Sequence, residues 1–215
     1  MSRLRPGTVA FETQSRHQSN QMKHFPILLV LLLAGCGESE QETLKRIKDR
    51  VQSGTITDED AEHLSQRYDE LLFLGGLTSI TNKQAESLGK ATSLRLSGLT
   101  SITNEQAKSL SKARSLYLDG ITSITDEQAE SLSKVEVLAL GGLTSITDEQ
   151  VENLSKVTTL DLNGLTSITD KQAESLSKVT WLELKGLTSI TNSQWEILDR
   201  EVLYLYIAVL PENHE

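Results

Sequence analysis

Residues 94–110 read LRLSGLTSITNEQAKSL, and this phrase decides the architecture because it returns almost unchanged along most of the chain. One glycine in each copy stands 22 residues after its counterpart, at Gly76, Gly98, Gly120, Gly142, Gly164 and Gly186. A fixed period of this length is typical of a solenoid, in which each unit buries its apolar face against its neighbours.

Each copy has the pattern of a short strand, a turn and a short helix. Leu138 and Leu140 have the two-residue spacing that sends both side chains to one face of a strand. The glycine that follows, Gly142, suits a tight exit from that strand. The buried stripe of the helix recurs every third residue, for example at Ala129, Leu132 and Val135. No helix this short is stable alone, so six or seven such units must stack.

A threonine is expected at the start of each helix. Thr147 and Gln150 have the spacing of a capping box, in which each residue's side chain bonds the other's backbone N–H. The same spacing recurs at Thr81/Gln84, Thr103/Gln106, Thr125/Gln128, Thr169/Gln172 and Thr191/Gln194.

The repeat frame of residues 56–207 resembles the leucine-rich repeat family. Its phrase Ile-Thr-Asp-x-x-Ala-x-x-Leu is similar to the subtype, related to the cysteine-containing repeats, that carries Ile-Thr-Asp before a helix. The resemblance implies an α/β solenoid with a curved parallel β-sheet on the concave side and short helices on the convex side. Members of this family usually act as protein-binding scaffolds.

The chain departs from the family at the position after the glycine. The family usually has Asn or Cys where this chain has Leu77, Leu99, Ile121, Leu143, Leu165 and Leu187. The usual side-chain ladder beneath the strand is then missing, and the Thr and Ser at the next two positions are candidates to satisfy those backbone groups. The repeat is also short for this subtype, so the resemblance does not set the curvature.

The first unit of the array and the segment before it depart from the regular repeat. Residues 39–42 have the pattern of a capping box, and Leu44, Ile47 and Val51 follow at helical spacing, which predicts a helix ending near Gly54. We expect this helix to cover the edge of the first repeat, which carries two inserted residues between Leu64 and Leu72.

The last unit is also irregular, and we interpret it as a C-terminal cap. Trp195 replaces the usual alanine, and Leu205 and Ile207 fit the strand frame only with one inserted residue. Tyr204 and Tyr206 then face outward, and Pro211 ends the run.

The N-terminal segment has the pattern of an export signal. Lys23 precedes an apolar run over residues 27–34, which is far shorter than the roughly 20 residues of a membrane-spanning helix. Leu33-Ala34-Gly35-Cys36 resembles the lipobox of bacterial lipoproteins, which implies that Cys36 becomes the lipidated N-terminus. The alternative is an ordinary secretory signal followed by a free or buried cysteine.

The sequence therefore divides into five segments. Residues 1–21 are a start-site overrun, with Met22 as the true start, or an extended basic region of the signal. Residues 22–35 are the signal peptide, 36–54 the lipidated tether and capping helix, 55–208 the repeat array and 209–215 a polar tail. These assignments place the protein outside the cytoplasm, anchored by lipid to a bacterial inner or outer membrane.

Composition restricts the chemistry of this chain. The net charge is −9, and removal of residues 1–35 leaves 17 basic against 29 acidic residues, or −12, which argues against nucleic-acid binding. Cys36 is the only cysteine and none of the four histidines lies in the regular repeats. We therefore predict no intramolecular disulfide, no catalytic residue, no metal site, no cofactor and no enzymatic activity. The acids Asp161 and Glu183 share one column, where they could raise each other's pKa or share a cation, although solvated surface acids are the favoured interpretation.

The copies differ mainly at positions that alternate with the strand leucines, and these positions must point out of the concave face. Aromatic and arginine side chains there are typical interface anchors, so we predict a surface that binds a protein partner. Neutral drift after duplication is the alternative origin of this variation. A structural spacer without a ligand, or a carbohydrate binder with Trp181 and Tyr204 as stacking platforms, are the alternative functions. The predicted binding residues are Arg95, Tyr117, Asp119, Asp161, Asn163, Trp181, Glu183 and Lys185.

Overall fold

The computed structural model describes residues 38–68 and 71–211. The helices are α1 (Glu38–Gln52), α2 (Asp58–Arg67), α3 (Asn82–Leu88), α4 (Asn104–Leu110), α5 (Asp126–Leu132), α6 (Asp148–Leu154), α7 (Asp170–Leu176) and α8 (Asn192–Glu201). The strands are β1 (Leu71–Phe73), β2 (Ser93–Arg95), β3 (Ser115–Tyr117), β4 (Val137–Ala139), β5 (Thr159–Asp161), β6 (Trp181–Leu184) and β7 (Tyr204–Ile207).

The seven strands form one parallel sheet in sequence order, with a helix between each strand and the next. Equivalent residues of neighbouring units face each other, as Leu116 faces Leu138 across β3 and β4. Between β6 and β7 the register advances by one extra residue, because Leu182 faces Leu205. The single inserted residue expected in the last unit is confirmed.

One aliphatic core runs through all the units. Leu138 of β4 and Leu140 just after it are fully buried, and so are Ala129 and Leu132 of the preceding helix. Each unit therefore closes its neighbour's core, as the 22-residue period requires. The fold class expected from the sequence, an α/β solenoid with one parallel sheet and short helices in separate layers, is confirmed.

The six predicted capping boxes are all present, and each glutamine also makes a bond that the Thr-x-x-Gln spacing alone does not predict. In α5, the side-chain Oε1 of Gln128 accepts from the Thr125 backbone N–H. The Nε2 of the same side chain donates to the backbone carbonyl of Ile102 in the preceding unit, at 2.8 Å. The equivalent Nε2–carbonyl bonds, 2.7–3.0 Å long, are made by Gln84, Gln106, Gln150, Gln172 and Gln194. These glutamines form the side-chain ladder between units.

The sequence suggested that the Thr and Ser two and three residues after each glycine bond the backbone in place of the family's Asn or Cys side chains. This prediction needs correction. In the described residues, such hydroxyl bonds to the preceding unit occur at the two ends of the array. Thr78 Oγ1 donates to the Gly54 carbonyl at 3.2 Å, and Thr188 Oγ1 donates to the Thr166 carbonyl at 3.1 Å. The helix-side glutamines, not these hydroxyls, are the link that recurs in every regular unit, because their amides are buried beside the preceding unit's backbone.

Close packing, rather than an unusual backbone angle, explains the recurring glycines. Among the described glycines, only Gly54 has a positive φ, at 93°. A Cβ on Gly142 would lie 2.3 Å from the Asp119 carbonyl oxygen and 2.7 Å from that of Ile121. The turn of each unit therefore lies so near the backbone of the preceding unit that a side chain would push the two apart.

Helix α1 covers the first edge of the array. It buries Leu44, Ile47 and Val51, the stripe expected from their spacing. A Cβ on Gly76 would lie 2.5 Å from the Val51 carbonyl oxygen, so the end of α1 takes the place of a preceding unit. The helix begins at Glu38, however, which places Ser39 inside its first turn. The predicted N-cap at Ser39 is therefore wrong, because an N-cap residue precedes the first helical residue.

The first repeat replaces the ladder glutamine with Asp60, which is only 2% exposed. Its carboxylate accepts from the Thr57 N–H at 3.0 Å and from Arg50 Nη1 of α1 at 2.6 Å. Burial raises the pKa of Asp60, but the bonds from Thr57 and Arg50 outweigh burial and hold the pKa below its usual value. A carboxylate is suited to this position because an arginine, not a carbonyl, lies next to it.

The other end of the array is less covered. Trp195 of α8 is buried in place of the usual alanine, whereas Tyr204 and Tyr206 face outward as expected and are exposed. Within residues 38–68 and 71–211, no helix combines the length and the apolar character needed to cross a membrane. Cys36, the signal segment and residues 212–215 lie outside the described residues.

Candidate binding face

The open sheet face consists of the side chains that alternate with the buried strand leucines. Its central column contains Phe73, Arg95, Tyr117, Ala139, Asp161, Glu183 and Tyr206, which are in register from β1 to β7. Trp181 and Tyr204 belong to the column before it, and Ser97, Asp119, Gly141, Asn163 and Lys185 lie just beyond the strands. The eight residues predicted to bind a partner all lie in these three columns.

An arginine cluster occupies the N-terminal part of this face. The guanidinium carbon of Arg95 lies 5.7 Å from the ring centre of Phe73 and 4.7 Å from that of Tyr117. The two rings belong to the strands on either side, so the register itself places the cation between them. Arg95 Nε is buried and has no hydrogen-bond partner within the described residues.

A tryptophan cluster occupies the C-terminal part. The ring centre of Trp181 lies 4.9 Å from that of Tyr204 and 5.2 Å from that of Tyr206, with Tyr206 stacked on it. Lys185 Nζ lies 5.4 Å from the Tyr206 ring centre. These distances are typical of favourable aromatic and cation–π pairs. The sequence placed Tyr204 and Tyr206 on the outside but did not predict that they pack against Trp181.

Small residues lower the surface between the two clusters. Ala139 faces outward, as expected, but it is only 4% exposed because the larger side chains of its register partners, Tyr117 and Asp161, stand beside it. A Cβ on Gly141 would lie 3.3 Å from Asp119 Oδ1 and 3.7 Å from Asp161 Oδ1. Two carboxylates therefore flank the lowest point of the face.

Hydrogen bonds hold the acidic side chains of the face in place. Ser97 Oγ donates to Asp119 Oδ2 at 3.0 Å, and the Asn163 N–H donates to Asp161 Oδ1 at 2.8 Å. Glu183 Oε2 accepts from Asn163 Nδ2 at 3.2 Å and pairs with Lys185 Nζ at 2.6 Å. The predicted site residues Asp161, Asn163, Glu183 and Lys185 thus form one connected network.

The two acids of the central column have opposite pKa shifts. Burial, followed by the charges of Glu183 and Asp119, raises the pKa of Asp161 above its usual value. Burial also acts to raise the pKa of Glu183, but bonds from Lys185 and Asn163 outweigh it and leave the pKa below its usual value. Asp161 is therefore the carboxylate whose negative charge this surface disfavours.

Replacement of Asp161 by Asn is expected to stabilise the protein at pH 7. An ionised carboxylate with a raised folded-state pKa costs stability at neutral pH, and this cost disappears as pH falls through that pKa. The Asn carbonyl can still accept from the Asn163 N–H, so the turn is kept. Urea denaturation should show a higher midpoint for Asp161→Asn at pH 7 and a smaller difference near pH 4. An unchanged or lower midpoint at pH 7 would show that the ionised Asp161 carboxylate does not destabilise the folded protein.

The described residues show no group of three or more His, Cys, Asp or Glu side chains placed to hold a metal ion. His63 lies on α2, outside the open sheet face. The open sheet face presents aromatic rings, the Arg95 guanidinium and hydrogen-bonded polar groups.

The comparisons with known proteins find similarity among solved structures. No family model matches the sequence. No curated protein matches it either. Among solved structures, the protein is similar to an internalin C2 from Listeria monocytogenes, with 21% sequence identity over 75% of this chain and 92% of that chain and a TM-score of 0.41.

Proposed function

We propose that this protein is a non-enzymatic binding scaffold that recognises a protein partner through its open sheet face. The observation that carries the proposal is the arrangement of the arginine and tryptophan clusters on one continuous, in-register surface. Aromatic and arginine side chains supply most of the binding energy in protein interfaces. Their rings are already packed here, so little side-chain freedom is lost when a partner binds.

The size of the face favours a polypeptide ligand. Arg95 is in β2 and Trp181 in β6, four strand spacings of about 4.8 Å apart, so the two clusters are separated by roughly 19 Å. A protein segment can contact both clusters and the low surface between them. The carbohydrate alternative is less well supported, because Trp181 packs against two tyrosines rather than presenting a free ring.

The double variant Tyr117→Ala/Trp181→Ala is expected to abolish capture of the partner from envelope extract. Each ring stands in one cluster and neither is part of the leucine core, so the fold should persist. Capture is measured by pull-down with the purified protein, and folding by the urea midpoint. A glycan array with the same protein tests the carbohydrate alternative.

The control is Lys134→Ala/Lys156→Ala, at two exposed residues in the turns that follow α5 and α6. This change should leave capture intact. Loss of capture with the lysine pair but not with the aromatic pair would overturn the proposed face. If neither the extract nor the array yields a specific ligand, the spacer interpretation is supported instead.

We further propose that the protein is exported and anchored in a bacterial envelope through a lipid on Cys36. The support is the lipobox-like sequence Leu33-Ala34-Gly35-Cys36 after a short apolar run. The remaining domain, with its net charge of −12 from 17 basic and 29 acidic residues, would be repelled by an anionic membrane surface, so a lipid is a suitable anchor.

The anchor is tested by Cys36→Ser in cells supplied with labelled palmitate. We expect the parent protein to incorporate label and the variant to lose it, together with its membrane fraction. Equal labelling of both proteins would rule out Cys36 as the lipidation site. The result is independent of the binding experiment, because it reports on the N-terminal segment alone.

A further inference from the structure

Arg95 is the cation of the open sheet face that lacks an acidic partner. In the described residues, the face carries two cations, Arg95 and Lys185. Lys185 pairs with Glu183 at 2.6 Å, whereas no carboxylate of the described residues lies within ion-pair distance of the Arg95 guanidinium. Asp119, which follows the neighbouring strand β3, accepts from Ser97 Oγ at 3.0 Å, and Asp161 and Glu183 lie three and four strands from Arg95.

The surrounding side chains hold the Arg95 guanidinium in one place. Phe73 and Tyr117 lie on either side of it, and Nε is covered and leaves its hydrogen-bonding capacity unused. A buried donor without a partner is unfavourable and rare in folded proteins, so the unpaired Nε of Arg95 indicates that this side-chain conformation has a functional role. The half-buried side chain presents its terminal nitrogens, Nη1 and Nη2, as the donors that remain.

We propose that the arginine cluster binds one carboxylate group of a protein ligand, supplied by an acidic side chain or by a free C-terminus. This inference rests on the proposed function and specifies the chemistry of its ligand. A planar guanidinium donates two parallel hydrogen bonds to a carboxylate, and the flanking rings fix its orientation before binding. The ligand carboxylate then becomes the anionic partner of the Arg95 guanidinium.

The rest of the face selects against ligands with many negative charges. Asp119 and Asp161 flank Gly141, two strands beyond Arg95, and Glu183 follows in the next unit. A polyanion lying across the strands would bring like charges close to these carboxylates, which is unfavourable. A protein segment can place one carboxylate at Arg95 and neutral or basic residues over the acids, so a polypeptide fits the face better than a uronic acid polymer.

The test uses the full-length protein and a phage-displayed library of random linear peptides, with polygalacturonate as the competing probe. We expect captured peptides to share one Asp, Glu or free C-terminal carboxylate. Synthetic copies in which Asp or Glu becomes Asn or Gln, and others with an amidated C-terminus, identify the source of the carboxylate. The decisive carboxylate should improve affinity by at least about tenfold.

Arg95→Gln should remove this preference, and Arg95→Lys should restore it only in part, because an ammonium lacks the two parallel donors. The matched control is Lys108→Gln, which removes an exposed cation from α4 in the helix layer. The peptide substitutions give an answer even where an Arg95 variant is poorly folded.

The outcomes separate this inference from the proposed function. One outcome would overturn the carboxylate inference alone. In it, peptides bind and need Tyr117 and Trp181, but their affinity changes neither when they lose their carboxylate nor when Arg95 becomes Gln. The proposed binding face would then remain supported. Failure to capture any peptide, or capture insensitive to the open sheet face, would overturn both. Binding of polygalacturonate in place of peptides would overturn the choice of a polypeptide ligand.

Discussion

Replacement of Gln128 by Glu is expected to lower the free energy of unfolding by about 3–5 kcal/mol at pH 7. Gln128 is only 7% exposed, and its Nε2 donates to the Ile102 carbonyl of the preceding unit at 2.8 Å. The new side chain has nearly the same shape but replaces that donor with a charged oxygen. Two acceptors then face each other in a buried site.

The loss of unfolding free energy caused by Gln128→Glu should become smaller as pH falls. Burial and the Ile102 carbonyl disfavour the ionised form of the introduced carboxyl, so its pKa in the folded state is raised above the unfolded value. A carboxyl of this kind destabilises fully at high pH, and stability returns as pH falls through the raised pKa. The protonated group can again donate to the carbonyl. Urea denaturation of parent and variant at pH 7 and pH 5 should show the gap narrowing.

The control for this prediction is Glu130→Gln, an exchange of the same two residue types at an exposed position of α5. It should change the free energy of unfolding by no more than about 0.5 kcal/mol. A loss for Gln128→Glu that is equally small, or one that does not depend on pH, would show that the glutamine does not bridge the two units.

Asp60 shows why an acid is tolerated at the same position in the first unit. Arg50 of α1 lies there at 2.6 Å, where every regular unit has a carbonyl oxygen. The residue type therefore follows from the neighbour, with an amide next to a carbonyl and a carboxylate next to a guanidinium. Asp at position 60 therefore reflects the contact of the first unit with the capping helix α1.

Much of the fold could be predicted because the signals are local and repeated. The period predicted the parallel register, and the Thr-x-x-Gln spacing predicted the start of each helix from α3 to α8. The bond from Gln128 to the preceding unit was missed although a signal existed. A capping box accepts Glu as well as Gln, so the use of glutamine in all six helices from α3 to α8 indicates a second, donating role.

The open sheet face was predictable in its position but not in its internal contacts. Alternation with the leucines places Arg95 and Tyr117 on neighbouring strands, whereas the free side-chain angles decide whether the guanidinium meets a ring or an acid. The stacking of Trp181 with Tyr206 also depends on the residue inserted before β7, which shifts the register of the last strand. Ala139 points outward as its alternation with the leucines predicts, but the side chains of its neighbours cover it.

Replacement of Leu138 by Ala should lower the free energy of unfolding by about 2–5 kcal/mol, because it leaves a cavity among fully buried leucines. Its register partners, Leu116 and Leu160, are equally buried and belong to other units. Because the cavity would open between three stacked units, the whole array should lose stability rather than one repeat alone. The urea midpoint of the full-length protein measures this.

Ala139→Ser is the matched comparison, because Ala139 is adjacent and also buried, but on the opposite face of β4. Its hydroxyl would enter a polar surface beside Asp161, so the cost should stay below about 1 kcal/mol. If Ala139→Ser were the more damaging change, the leucines would not face the core, and a shift of one residue in the strand would exchange the two faces. Arg95, Tyr117 and Asp161 would then turn inward, and no binding surface could be built from their column.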